Sequence, residues 1–118
     1  MAKAGWIGVD LDGTLAEYKP KDDYDGSIGP PIPRMLARVK KWLADDVEVR
    51  IITARVSGDS IETILEQKTI IRAWLYENNL GKLYIDCKKD YGMLELWDDR
   101  AVQVIPNTGE RVDGSDAI

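Results

Sequence analysis

The sequence contains no histidine and a single cysteine, Cys87. Without histidine the chain cannot carry a Ser-His-Asp triad, an HExxH zinc site or an imidazole general base. One cysteine excludes a disulfide framework and a cysteine-rich zinc ribbon, and it is compatible with a reducing compartment. If the protein is an enzyme, carboxylates, hydroxyls and a few cations must perform the chemistry, which favours a metal-assisted reaction.

Long apolar runs are also absent. No run approaches the roughly 18 residues of a membrane span, and residues 1–5 lack the apolar segment of a secretion signal. We therefore predict a cytoplasmic protein without a membrane partner. The chain has 16 Lys and Arg against 21 Asp and Glu, a net charge of -5, which argues weakly against non-specific binding to a phosphate backbone.

The 118 residues are 44% hydrophobic and 31% charged, an ordinary globular composition. This length suits one domain, and we assign residues 1–118 to a single domain with a polar tail from residue 106. Short apolar runs alternate with segments of helical periodicity, a pattern typical of βαβ units and a parallel sheet. Strands are predicted at 6–9, 47–52, 83–85, 94–97 and 102–105, helices from Pro33 and from Asp59, and a helical turn at 90–93.

Polar residues follow four of the predicted elements. In an open α/β sheet, ligands bind at the carboxyl ends of the strands, so these residues are expected at one edge of the sheet. Each of the four segments contains a side chain suited to phosphate or metal chemistry. The segments are Asp10–Thr14, Thr53–Arg55, Cys87–Lys89 and Asp98–Arg100.

The sharpest motif is Asp10-Leu11-Asp12-Gly13-Thr14, which directly follows the first apolar run. One carboxylate can attack an electrophile or bind metal, while the other can donate or accept a proton. Gly13 permits the sharp turn, and Thr14 can hydrogen-bond the turn or a phosphate. Counted from Asp10, the glycine and glutamate of a calcium loop would fall on Leu15 and Lys21, which excludes an EF-hand.

This motif resembles the nucleophile motif of the haloacid dehalogenase (HAD) superfamily. The resemblance extends to Thr53 after the second strand, to Lys88-Lys89 before the fourth and to Asp98-Asp99 at its end. All four elements stand in the family's order, and together they span residues 6–105. The resemblance implies a HAD-like α/β fold, namely a three-layer, Rossmann-like parallel sheet of about five strands.

The resemblance also implies the reaction of an Mg²⁺-dependent phosphomonoester hydrolase. Asp10 would be the nucleophile that forms an aspartyl-phosphate, and Asp12 would be the acid and base. Thr53 and one of the two lysines would complete the catalytic set. We prefer Lys89 to Lys88 because it precedes the turn at Asp90, and the choice stays open.

The remaining polar residues are assigned to metal and substrate. The resemblance implies that Mg²⁺ is held by Asp10, by the backbone carbonyl of Asp12 and by Asp99, with Asp98 in support; which aspartate of that pair binds directly stays open. Thr14, Arg55, Lys88 and Arg100 are candidate substrate ligands, and Arg55 can grip a phosphate bidentately.

Neither of the family's insertion points leaves room for a cap domain, so we expect an open site. The substrate is then a phosphorylated small molecule or a nucleic-acid end, as in the 3′-phosphatase domain of polynucleotide kinase, and a homo-oligomer could cover the site. Residues 16–33 form a loop or a small flap that holds Tyr18, Lys19, Lys21 and Tyr24. The best non-enzyme alternative is a receiver-type phospho-acceptor signalling domain, which has a different motif order.

Overall fold

The computed structural model describes residues 4–19, 22 and 25–115 of the chain. Strand β1 (Trp6–Val9) precedes helix α1 (Pro33–Ala44) and strand β2 (Glu48–Ile52). A short 3-10 helix (Ala54–Val56) follows, then helix α2 (Ile61–Glu77), strand β3 (Tyr84–Asp86) and strand β4 (Met93–Trp97). The four strands form one parallel sheet in the order β3-β2-β1-β4. The predicted α/β class with a parallel sheet is confirmed.

Local sequence explains where the helices begin. Pro33 occupies the start of α1, where its missing N–H costs nothing because the first helical N–H groups have no intrahelical partner. The hydroxyl of Ser60 caps α2 by accepting from the amide of Thr63 at 3.3 Å. The helix was predicted to start from Asp59, but it begins at Ile61 and Ser60 is its capping residue.

Both helices pack against the same face of the sheet. Alternate strand residues such as Ile7 and Ile51 lie in one hydrophobic cluster with Val39 of α1 and Leu75 of α2. Since strand side chains alternate between faces, the described part of the chain has two layers, and the predicted three-layer architecture is wrong. The reason is the β3–β4 connection, which is short and contains no helix where a third layer would require one.

Side chains cover part of the other face instead. Trp6 is only 2% exposed there, because the Arg50 guanidinium lies 4.5 Å from its ring centroid. The indole N–H donates to Asp90 in the β3–β4 connection at 2.8 Å, and Arg50 also pairs with Asp90 at 3.2 Å. Asp90 therefore links the β3–β4 connection to Trp6 of β1 and to Arg50 of β2. Residues 91–92 form a turn rather than the predicted helical turn.

The predicted fifth strand is not formed. Residues 102–105 fold back on the tail, where Val104 bridges Arg111 in antiparallel fashion and Val112 donates its amide to Gln103. The reversal follows Pro106, and Asn107 adopts a φ of 67° that permits a tight turn. Local pairing thus replaces pairing with β4, which is an edge strand of the described sheet.

None of the helices among the described residues has the length and apolar character to cross a membrane.

Candidate functional site

The site lies where the direction of the sheet connections reverses. β1 is the strand next to β4, and the amide of Asp10 donates to the carbonyl of Trp97 at 2.9 Å. Asp10 follows β1, while Asp98 and Asp99 follow β4. Ligand sites of doubly wound α/β folds occupy this kind of topological switch point. Residues 88 positions apart in the chain are thereby brought to one edge.

Three carboxylates converge at this point. Oxygen atoms of Asp10, Asp98 and Asp99 lie within 4.8 Å of one another. The buried hydroxyl of Thr14 bridges two of them, at 3.3 Å from Asp10 Oδ2 and 3.3 Å from Asp99 Oδ1. The Tyr18 hydroxyl donates to the other oxygen of Asp99 at 3.2 Å. The predicted acidic residues of the two strand ends therefore form one cluster.

Burial and neighbouring groups change the pKa values of Asp10 and Asp99. Burial raises the pKa of Asp10 to about 7, and the hydrogen bond with Asp99 and the charges of Asp98 and Asp99 add to the effect. The pKa of Asp99 is lowered: burial opposes the change, but hydrogen bonds from Asp10, Tyr18 and Thr14 outweigh it. A cation beside Asp10 would offset the charges of Asp98 and Asp99 that disfavour its ionisation. An all-oxygen donor set fits a hard divalent cation such as Mg²⁺.

The two aspartates after β4 face different surroundings. Asp98 lines the open cavity and accepts the Arg100 amide at 2.7 Å. Asp99 instead points toward Thr14 and Tyr18. The geometry thus gives Asp98 the more direct access to a ligand in the cavity, whereas the family resemblance favoured Asp99.

Gly13 allows the close approach of these groups. Its φ is +94°, and a Cβ atom there would lie 2.4 Å from the Tyr18 ring and 2.7 Å from Asp99 Oδ2. Side-chain-bearing residues avoid this backbone region, and the space is already filled. The glycine of the motif is therefore required by both conformation and volume.

Asp12 lies outside the carboxylate cluster and faces Arg55. Nε and Nη2 of Arg55 donate to the two oxygens of Asp12 at 2.7 and 2.9 Å. The Arg55 side chain is 9% exposed and that of Asp12 is 27% exposed. The two predicted site residues are thus brought together, but as a bidentate ion pair with each other.

Thr53 ends the strand region at the same edge and is 3% exposed. Its Oγ1 accepts the Arg55 amide at 3.2 Å and begins the short 3-10 helix. A hydroxyl that accepts this bond keeps its own proton for a further acceptor. Thr53 also lines the cavity.

An open cavity of about 450 Å³ joins these residues. Tyr18 and Arg100 stand at its border, and the Tyr18 hydroxyl together with the Asp99 and Asp10 charges raises the pKa of Arg100. A smaller cavity of about 200 Å³ lies beside it and shares Asp12, Tyr18 and Arg55. The main cavity is lined by Asp10, Asp12, Tyr18, Ile52, Thr53, Ala54, Arg55, Ser57, Cys87, Asp98 and Arg100.

The two candidate lysines are not brought into contact with the carboxylates. Lys88 and Lys89 are exposed, and no ion pair or hydrogen bond joins either to a described residue. In the loop before α1, Lys19 pairs with Asp25 at 3.1 Å. The predicted flap residues Lys21 and Tyr24 lie outside the described residues.

Sequence reasoning missed three contributions to this region. Tyr18 was predicted to belong to a loop or a small flap, but its contact with Asp99 was not predicted. Gln67 of α2 contacts Arg55 at 3.2 Å, and Cys87 lines the cavity. Each depends on a contact between distant segments, so no local sequence pattern predicts it. Only Cys87 could have been predicted to lie near the site, from its position directly after β3.

Comparisons of the chain with protein-family models, with curated proteins and with solved structures give no match. The function must therefore be inferred from the chemistry of the site itself.

Proposed function

We propose that the protein is an Mg²⁺-dependent phosphomonoester hydrolase that acts through an aspartyl-phosphate on Asp10. The observation that carries this proposal is the convergence of Asp10, Asp98 and Asp99 within 4.8 Å at the switch point of a parallel sheet. The cluster opens into a cavity with a hydroxyl donor, Thr53. Carboxylates, a hydroxyl and a cation site are the components of phosphoryl transfer.

A cation would be held by the oxygens of Asp10, Asp98 and Asp99. When bound, Mg²⁺ would neutralise these carboxylates and the phosphoryl oxygens of the substrate. The pKa of Asp10 is about 7 in the metal-free protein, so this carboxyl is only partly ionised near neutral pH. The nucleophile must be ionised, and a cation held beside Asp10 would favour its ionised form. Thr14 holds Asp10 and Asp99 in register for the same purpose.

The protein's own residues supply the covalent steps. A carboxylate oxygen of Asp10 attacks phosphorus, forming one P–O bond as the bond to the leaving oxygen breaks. Asp12 enters the reaction protonated at a carboxyl lone pair that Arg55 does not use, gives that proton to the leaving oxygen and then takes one from water. The water oxygen attacks phosphorus, which releases inorganic phosphate and restores the Asp10 carboxylate.

Donors around the cavity stabilise the transferred group. The Thr53 hydroxyl is available to a phosphoryl oxygen, and Arg100 stands at the cavity border with a raised pKa, so it is charged. Lys88 and Lys89 would have to move toward the cavity to share this role, and Arg100 is therefore the better-supported cation.

The strand order argues against a receiver-type phospho-acceptor. Receivers have the strand order 2-1-3-4-5, whereas the strands of this sheet have the order β3-β2-β1-β4, as in the other doubly wound order.

Two classes of substrate fit the open cavity: a small phosphoester and a phosphorylated nucleic-acid end. The net charge of -5 does not favour tracking along a nucleic acid.

The test is hydrolysis of a panel of phosphoesters by the purified protein with Mg²⁺ or with a chelator. The panel contains an aryl phosphate, sugar phosphates, nucleotides and oligonucleotides phosphorylated at the 3′ or the 5′ end. We expect Mg²⁺-dependent phosphate release that Asp10→Asn abolishes. Asp45→Asn is the matched control, because Asp45 is an exposed aspartate paired with Lys41 on α1. No turnover on any member would contradict the proposal.

A further inference from the structure

Arg55 is the most extensively bonded side chain of the candidate site. Besides the two bonds to Asp12, Nη1 donates to the Gly26 carbonyl at 2.8 Å and to Gln67 Oε1 at 3.2 Å, and Nη2 donates to the Ser27 carbonyl at 3.2 Å. A guanidinium has five N–H groups, and these five bonds engage all of them. The sequence-based role of Arg55 as a grip on substrate phosphate conflicts with this arrangement.

The bonds tie three separate segments to one point. Asp12 belongs to the turn after β1, Gly26 and Ser27 to the loop before α1, and Gln67 to α2. The arginine itself is fixed from behind, because its amide donates to Thr53. A largely buried bidentate pair restricts the orientation of a carboxylate far more than an exposed pair does.

Building on the function proposed above, we propose that Arg55 is a positioning residue that orients Asp12 for proton transfer and couples it to the loop at residues 25–29. Arg55 acts through the two oxygens of Asp12 and makes no contact of its own with the substrate. Displacement of a proton-transferring group by about 1 Å can cost about 100-fold in rate. The loop contacts matter because they hold the guanidinium in place from the opposite side.

Leaving-group chemistry separates this role from a substrate grip. A phenolate with an electron-withdrawing group departs without full protonation, whereas an alkoxide needs the proton from Asp12. We expect Arg55→Lys to lower kcat/KM on an alkyl phosphate about 100-fold, and on p-nitrophenyl phosphate by less than about 10-fold. An equal loss on both substrates together with a raised KM would show that Arg55 binds substrate and would overturn the proposal.

The matched control is Arg72→Lys, since Arg72 is a half-buried arginine on α2 that donates to the Leu83 carbonyl and does not line the cavity. It should change neither rate. Thermal unfolding of both variants checks that Arg55→Lys is folded, and lysine retains the charge so that Asp12 is not left unpaired.

Hydrogen exchange tests the coupling independently of turnover. Both Arg55→Lys and Asp12→Asn should speed amide exchange in residues 25–29, whereas Arg72→Lys should not. If the wild-type protein hydrolyses no phosphoester while exchange behaves as expected, the hydrolase proposal fails and the coupling stands. If Asp12→Asn leaves exchange in that loop unchanged, the coupling itself is refuted.

Discussion

At the scale of single residues, the site depends on how closely backbone and side chains approach around Gly13. Its positive φ turns the chain after Leu11, and the missing side chain leaves room for Tyr18 and Asp99. Tyr18 and Thr14 then both reach Asp99. The Asp99 carboxylate therefore occupies space that a Cβ atom at Gly13 would take.

We expect Gly13→Ala to destabilise the protein by about 1–3 kcal/mol from backbone strain, with a further cost from overlap with Tyr18 and Asp99. Gly81→Ala is the control: its φ is +72°, but no atom lies within 4 Å of the added Cβ. Urea unfolding measures both losses. A loss at Gly13 no greater than that at Gly81 would show that the close approach is unimportant.

The sequence predicted that the carboxylates after β1 and β4 would lie close together, but it did not predict the contacts of the side chains around them. Asp10, Asp98 and Asp99 were expected together because the ends of parallel strands meet at one edge, and this is a general property of such sheets. The direction of the Arg55 side chain was not predictable. It depends on hydrogen bonds to the carbonyls of Gly26 and Ser27, which lie 29 and 28 residues earlier in the chain. These carbonyls reach Arg55 only after the loop has folded.

At the scale of elements, α2 shows how a start signal can be misplaced by one residue. Asp59 and Glu62 have the spacing of a capping box, yet Ser60 accepts the bond from Thr63. Serine and aspartate cap helices about equally well, so the hydrogen-bonding register decides between them. Periodicity located the helices and four strands, whereas the hairpin at 102–112 depends on a turn that competes with sheet pairing.

We predict that Ser60→Ala lowers the free energy of unfolding by about 1 kcal/mol through loss of the N-cap. Asp59→Ala should change it by less than about 0.5 kcal/mol, because Asp59 is exposed and only adjoins the cap. Denaturant midpoints of the two variants decide the matter. The reverse ranking would mean that α2 begins one residue earlier.

At the scale of the whole molecule, the carboxylate cluster links the site to global stability. Asp10 has a pKa of about 7 in the folded protein against 3.8 for an unperturbed carboxyl. Between these values the folded state binds more protons than the unfolded state, so this contribution to stability is full below pH 3.8 and is lost as the pH rises through 7. The absence of histidine removes the group that would otherwise titrate there.

We therefore predict that the metal-free protein is less stable near pH 8 than near pH 6, and that Asp10→Asn removes most of this difference. Urea unfolding in the presence of a chelator measures it. Added Mg²⁺ should restore stability at the higher pH, since ligand binding to the folded state alone stabilises it. A wild-type stability that is flat or rises between these pH values would contradict the assignment.

The pairing of β1 with β4 has a consequence for folding. It joins chain segments near opposite ends of the described fold, so closing it carries a large loop-closure entropy and places this contact among the slow, non-local ones. Until β4 docks, Asp10 has neither Asp98 nor Asp99 beside it. The cation binding proposed for this cluster would therefore require β4 to have paired with β1, and a metal-sensitive signal during refolding would time that pairing.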